Sequence, residues 1–288
     1  MFKAMYKAIT GVLDFIKKYF FILLVLTIYL TYLFKPQAQQ YMKPNLMRVD
    51  IVGPILQSDQ FLKKMDEASK NNIKGVLIYI NSPGGLVAPS VEMSYAIKRL
   101  EQQKPVVVYA AGTMASGSYY AGIWADKIVA NPGSIIGSIG VIFDGFNISE
   151  LAKKLGIKEQ TIKMGKYKEA GTFMRAWNKD EKSELERVLK NTYNMFVYDV
   201  AKARNLKLED KDKFADAHIF TADRAKMVGL VDEVGIIYNA EQDLIKLSGV
   251  TEPRWKKRSK FEKYIDNLLS NAISKVSSSF GGLQSYLP

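Results

Sequence analysis

Val76-Leu77-Ile78-Tyr79-Ile80 runs directly into Asn81-Ser82-Pro83-Gly84-Gly85. Five consecutive apolar residues rich in β-branched and aromatic side chains, closed by a Pro-Gly-Gly turn, read as a strand buried on both faces. The paired glycines let the backbone turn sharply and leave N–H groups free to face a ligand. Working outward, residues 87–101 carry a helical pattern and residues 106–110 form a second buried strand. Upstream, residues 49–52 read as a strand and 59–70 as a helix. Downstream, residues 116–124 start a helix, 127–130 form a short strand, and 179–204 form a long helix. Strands separated by helices imply crossover units and an α/β fold with a largely parallel sheet and flanking helices.

The chain of 288 residues has length for one large domain or two small ones. We expect a cytoplasmic flank over residues 1–18, an anchor over 19–34, a polar linker over 35–47, a folded domain over 48–250 and an amphipathic, flexible tail over 251–288. Lys3, Lys7, Lys17 and Lys18 precede the uncharged stretch and Lys35 closes it. That asymmetry predicts a single-pass transmembrane helix, N-terminus inside and folded domain outside. In the tail, Phe261, Ile265, Leu268, Leu269 and Ile273 fall at helical spacing; they read as a surface helix or as a segment that docks on a neighbouring subunit.

The absence of cysteine excludes a disulfide framework, a thiol nucleophile and a zinc–thiolate site, and the single histidine, His218, excludes a multi-histidine metal site. The net charge is +12, but the lysines are spread along the chain. No basic and aromatic cluster resembles a nucleic-acid module, so no nucleic-acid partner is expected.

Two segments at strand ends can carry chemistry, because ligands of parallel α/β folds bind at the carboxyl ends of strands. The 81–85 loop can build half an oxyanion hole, with Gly85 as its donor. Ala115-Ser116-Gly117-Ser118-Tyr119-Tyr120 follows the next strand. Ser116 there reads either as an ordinary helix cap or as a nucleophile whose neighbour Gly117 supplies the second amide of the hole. A nucleophilic serine needs a base. His218 precedes a helix cap read at Thr221 and reads as structural. A lysine serves as base where burial lowers its pKa, and Lys163, Lys166 and Lys168 lie close together. If the segment is a strand, Lys166 and Lys168 share a face, so side-chain parity does not choose between them. In the glycine-punctuated stretch 133–141, Ser138 can hydrogen-bond a neutral lysine.

Five segments, in this order and spacing, resemble bacterial signal peptide peptidase A, also called protease IV, in its short form: NSPGG at 81–85, ASGSYY at 115–120, GSIGV at 137–141, GKYKEAG at 165–171 and AKMVGLVDEVG at 225–235. The resemblance covers about residues 48–250. It implies a serine peptidase with Ser116 as nucleophile, Lys168 as base and Ser138 orienting that lysine. It also implies a fold similar to the Clp protease subunit and the crotonases, no cofactor, and signal peptides as substrates. The implied setting is the bacterial inner membrane, with the catalytic domain in the periplasm. The implied assembly is a homo-oligomeric ring in which short forms complete their sites with a neighbour's residues. Ser118 departs from the glycine expected two residues after the nucleophile. Three other readings are a peptidase acting on a membrane partner such as a stomatin-like protein, a crotonase-like acyl-CoA enzyme that does not need Ser116, and a non-catalytic scaffold.

Overall fold

The computed structural model describes residues 2–33 and 43–257, in two units that divide between Lys43 and Pro44. The first unit is one helix, α1 (Phe2–Leu33). It runs through the expected boundary between flank and anchor. No helix among the described residues is long and apolar enough to cross a membrane. This overturns the expected transmembrane anchor and with it the placement of the chain in the inner membrane, N-terminus inside. The physical reason lies in the run itself: its 16 uncharged residues, 19–34, span about 24 Å as a helix, against a hydrocarbon core of about 30 Å. Tyr19, Thr27 and Tyr29 dilute its apolar character, and extending it toward the N-terminus takes in Lys18, Lys17 and Asp14. The expected linker falls mostly, and the helical part of the tail wholly, outside the described residues.

The second unit opens with β1 (Leu46–Val52), α2 (Asp59–Ala68), β2 (Gly75–Ser82), α3 (Val87–Glu101) and β3 (Val106–Ala115). Then follow α4 (Gly117–Gly122), β4 (Lys127–Ala130), β5 (Ile135–Gly137), α5 (Ser149–Lys154) and α6 (Lys179–Ala203). The remainder is α7 (Lys211–Phe214), β6 (Ile219–Thr221), α8 (Ala222–Met227), β7 (Glu233–Val234) and α9 (Ile237–Ser248). The sheet order is β1-β2-β3-β4-β7, all parallel, with β5 on the far half of β3 and β6 antiparallel to β5. The expected mixed α/β fold with a largely parallel sheet is therefore observed.

The strands are continuous apolar runs because both faces are covered. Val76, Ile78 and Ile80 join Val106, Val108 and Ala110 in a core shared with Phe61 of α2, Ile97 of α3, Tyr119 of α4 and Phe196 of α6. On the opposite face Leu77, Val107, Tyr109 and Val129 pack with Ala240 and Leu244 of α9. A Cβ at Gly75 would stand 2.9 Å from Leu244 Cδ1, so glycine there lets α9 lie close on the sheet.

The expected strand 106–110 continues to Ala115, and the helix expected from 116 spans only Gly117–Gly122. The extension has a clear cause. Residues 107–110 pair with β4, whereas Thr113–Ala115 pair with β5. Between these two partners the register against β2 shifts, and Asn81 Oδ1 accepts the Thr113 N–H at 3.1 Å. Asn81 thus bridges the break, beyond which Met114 pairs again with Ser82 of β2.

Candidate active site

Ser116 sits where β3 becomes α4, with φ 52° and ψ −126°. A non-glycine residue in that region is strained by about 1–3 kcal/mol and persists only where its surroundings impose it. The surroundings are identifiable. Ser116 N–H donates to Gly137 O of β5 at 2.8 Å, which prolongs the β3–β5 ladder through the residue. The buried Ser118 hydroxyl accepts from Ala115 N–H at 2.9 Å and reaches the carbonyls of Ser82, at 2.7 Å, and Ala115, at 2.9 Å. Ser118, a departure from the family pattern, therefore ties the 116 turn to the 81–85 loop. The sequence reading missed this role, and missed Ser82, whose hydroxyl accepts from Gly84 N–H; a serine closing β2 and one in the first turn of the short α4 carry no periodic signal.

Gly84, at φ +96°, lies against the same turn: a Cβ there would meet Ala115 O and Gly117 N at 2.7 Å and Ser116 Cβ at 2.9 Å. Gly85 is wedged against Ile55, where a Cβ would stand 2.1 Å from the carbonyl oxygen. A Cβ at Gly117 would stand 3.3 Å from Gly85 N, so the two glycines approach backbone to backbone. Neither the Gly85 nor the Gly117 amide has an acceptor among the described residues. Two unengaged N–H groups beside one serine hydroxyl are the components of an oxyanion hole.

Ser138 follows β5 at φ 50°, and its N–H donates to His218 O at 2.7 Å. With Ser116 it lines a cavity of about 520 Å³, whose other walls include Gly85, Val87, Val141 and Lys190. A tight recess beside Ser116 is lined by Gly117, Ser90, Tyr120, Met195 and Phe196. At its wall the Tyr120 phenol donates to the buried carboxylate of Asp199 on α6. Burial, and then that carboxylate, push the phenol pKa upward. His218 is exposed and its ring stacks edge-on to Phe220 at 6.2 Å; it lines a different cavity from Ser116.

The structure brings Ser116, Ser138, Gly85 and Gly117 together; it does not bring Lys168 to them. Lys168 is exposed, in a run of turns in which Lys168 N–H donates to Gly165 O, Ala170 N–H to Tyr167 O and Thr172 N–H to Glu169 O. Because the segment is a run of turns, strand parity never applied to its lysines. Their partners do separate them. Lys163 pairs with Glu169 at 2.5 Å and Lys166 with Asp180 at 2.7 Å, which holds the Lys166 ammonium protonated to higher pH. Lys168 makes no ion pair among the described residues.

Residues 98–251, which include Ser116, Ser138 and Lys168, match the model of peptidase family S49. The chain belongs to peptidase family S49. This bears out the resemblance read from the five motifs and makes the chain a member of a serine-peptidase family. A relative from Methanocaldococcus jannaschii that carries the name of a protease is 43% identical over 194 residues, 67% of this chain and 62% of the relative. The chloroplastic serine protease SPPA of Arabidopsis thaliana is 31% identical over 185 residues, 64% of this chain and 27% of the relative. The chain thus spans under two thirds of either relative's length. Among solved structures, a membrane-bound stomatin-specific protease, 1510-N, in complex with a substrate peptide superimposes with a TM-score of 0.55 at 17% identity, over 78% of this chain and 98% of that one. That likeness shows a shared fold.

Proposed function

We propose that the protein is a serine endopeptidase in which Ser116 is the nucleophile and Lys168 of a neighbouring copy is the base. The observation that carries this reading is the strained Ser116 turn, set beside the unengaged amides of Gly85 and Gly117. Strain of this kind is maintained where geometry serves chemistry. A neutral lysine takes the Ser116 hydroxyl proton as Oγ attacks a peptide carbonyl. The resulting oxyanion is held by the two amides. Collapse releases the amine, which takes the proton back from the lysine, and water then hydrolyses the acyl-enzyme by the same route. Ser138, which lines the same cavity, orients the lysine.

Lys168 is favoured over Lys166 because a lysine paired with a carboxylate keeps its proton, and Lys166 is paired. Its arrival from a second copy is favoured by the surface around it. Ile142, Phe146, Ile162 and Met164 are at least four-fifths exposed, and Phe143, Tyr167 and Phe173 are exposed beside them. Apolar surface on this scale marks a protein–protein contact. Covering it would supply the desolvation a lysine base requires. The substrates are peptides with small or apolar residues, of which cleaved signal peptides are the class proposed. The acyl-CoA alternative leaves the strain at Ser116 without a purpose.

The test is hydrolysis of a synthetic signal peptide by the full chain beside its Ser116→Ala variant. Cleavage by the first and none by the folded second is expected. Equal cleavage by both would remove Ser116 as nucleophile.

A further inference from the structure

Lys168 lies in a segment without helix or strand, yet a base must be held in place. The residues around it form a connected set of charges. Arg175 donates twice to Glu181, Nη1 to Oε2 at 2.8 Å and Nη2 to Oε1 at 2.6 Å, and its Nη2 also donates to Glu169 Oε2 at 2.8 Å. The same Glu169 oxygen takes the Lys163 ammonium at 2.5 Å. Glu169 is the residue immediately after Lys168. Glu181 is 1% exposed and sits at the third position of α6, where it accepts from Asn178 N–H at 2.9 Å while Asn178 Oδ1 accepts from Glu181 N–H at 2.9 Å. A planar guanidinium suits this forked task, because it offers parallel donors in fixed geometry.

The rest of the turn is pinned by aromatic packing. Trp177 Nε1 donates to Thr172 O at 2.6 Å, and the Trp177 ring lies 5.7 Å from Phe143. Gly171, at φ +95°, passes within 2.9 Å of the Phe143 ring at the place a Cβ would occupy. The ion pairs fix one end of the turn to the capped start of α6, and the aromatic pair fixes its back to residues 143–145.

We infer that Glu169, Arg175 and Glu181 form a clamp that positions the Lys168 turn, so that Arg175 is a positioning residue for the base. This rests on the reading of Lys168 as the base. Isolated surface ion pairs contribute little, but here one carboxylate is buried within a capping box and one guanidinium serves two carboxylates. The clamp holds a short, locally bonded turn to a helix whose far end reaches the recess beside Ser116 through Met195 and Phe196.

The experiment is steady-state peptide hydrolysis by the full chain carrying Glu169→Gln, Arg175→Ala, Arg175→Lys or Lys168→Ala, with oligomer size measured alongside. Displacing a catalytic group by about 1 Å costs on the order of 100-fold. Glu169→Gln and Arg175→Ala are therefore expected to lower kcat by about 10- to 100-fold, with KM and oligomer size little changed, and Arg175→Lys to recover part of the loss. A kcat at the wild-type value in Glu169→Gln overturns the clamp, as does a loss confined to KM. If Arg175→Ala fails to fold, Glu169→Gln decides, since it leaves the Arg175–Glu181 pair intact. Full activity in Lys168→Ala would overturn the assignment of the base and the clamp with it. An inactive Lys168→Ala beside a fully active Glu169→Gln would overturn the clamp alone.

Discussion

At Ser116 the backbone and the side chain make opposite demands. The left-handed φ of 52° suits glycine, while nucleophilic chemistry needs the hydroxyl. Replacing Ser116 by glycine should relieve strain that alanine retains, so Ser116→Gly is expected to be more stable than Ser116→Ala by about 1 kcal/mol. Urea midpoints of the two variants measure the difference; an equal or lower midpoint for the glycine variant would show that the turn is not strained. Gly85 presents the reverse case. A Cβ there would stand 2.1 Å from the Ile55 carbonyl oxygen, and backbone cannot move aside as a flexible side chain can. Gly85→Ala should therefore cost about 3 kcal/mol of stability as well as activity, visible as a lowered melting temperature. Little of this was legible in advance. Ser116, Gly85 and Gly117 stand out as candidates because they follow strands, but what holds them passes through Ser82, Ser118 and Gly137, distant in sequence or unremarkable in type.

Among the elements, α6 is the one whose start is most fully specified. Asn178 and Glu181 cap it reciprocally, and loss of the cap in Asn178→Ala should cost about 1 kcal/mol. Glu181 adds a pH dependence of definite sign. Arg175, and then the Asn178 N–H, hold its carboxyl down to about 2 from an ordinary 4.5. A carboxyl depressed in the folded state stabilises fully above its unfolded pKa. That contribution is lost as pH falls from 4.5 toward 2. Urea midpoints followed through that window should fall less steeply for Glu181→Gln than for the wild type; parallel curves would show that Glu181 is not the group responsible. The long helix and the buried strands are readable from sequence because periodicity and continuous apolar runs report burial directly. β5, β6 and β7 are two or three residues long and exist only because a partner strand lies beside them, which no local pattern encodes. The lysine turn was misjudged for a related reason: its order comes from Glu169, Asp180 and Glu181, not from its own side-chain alternation.

For the molecule as a whole, one chain assembles the proposed nucleophile, two amides and Ser138 around one cavity, and leaves its candidate base on an apolar, exposed surface. If the base arrives from a second copy, Ser116→Ala and Lys168→Ala should each be inactive alone and active when mixed. Random association of equal amounts completes about one quarter of the sites. Recovery of roughly that share of the wild-type rate is expected after subunits are exchanged, and no recovery would place both groups in the same chain. The N-terminal helix shows where whole-molecule inference from sequence fails: basic residues on either side of an apolar run signal a span only if the run is long enough, and this one is not. The backbone of Ser116 has a further, evolutionary consequence. Serine and glycine codons of one set differ by a single base. At a position where glycine is the conformationally easier residue, that change removes the hydroxyl and leaves the fold more comfortable than before. Threonine, β-branched, is barred from the same conformation. Descent from this site is therefore asymmetric: the path to a well-folded protein without the hydroxyl is short, and the path to threonine in its place is closed.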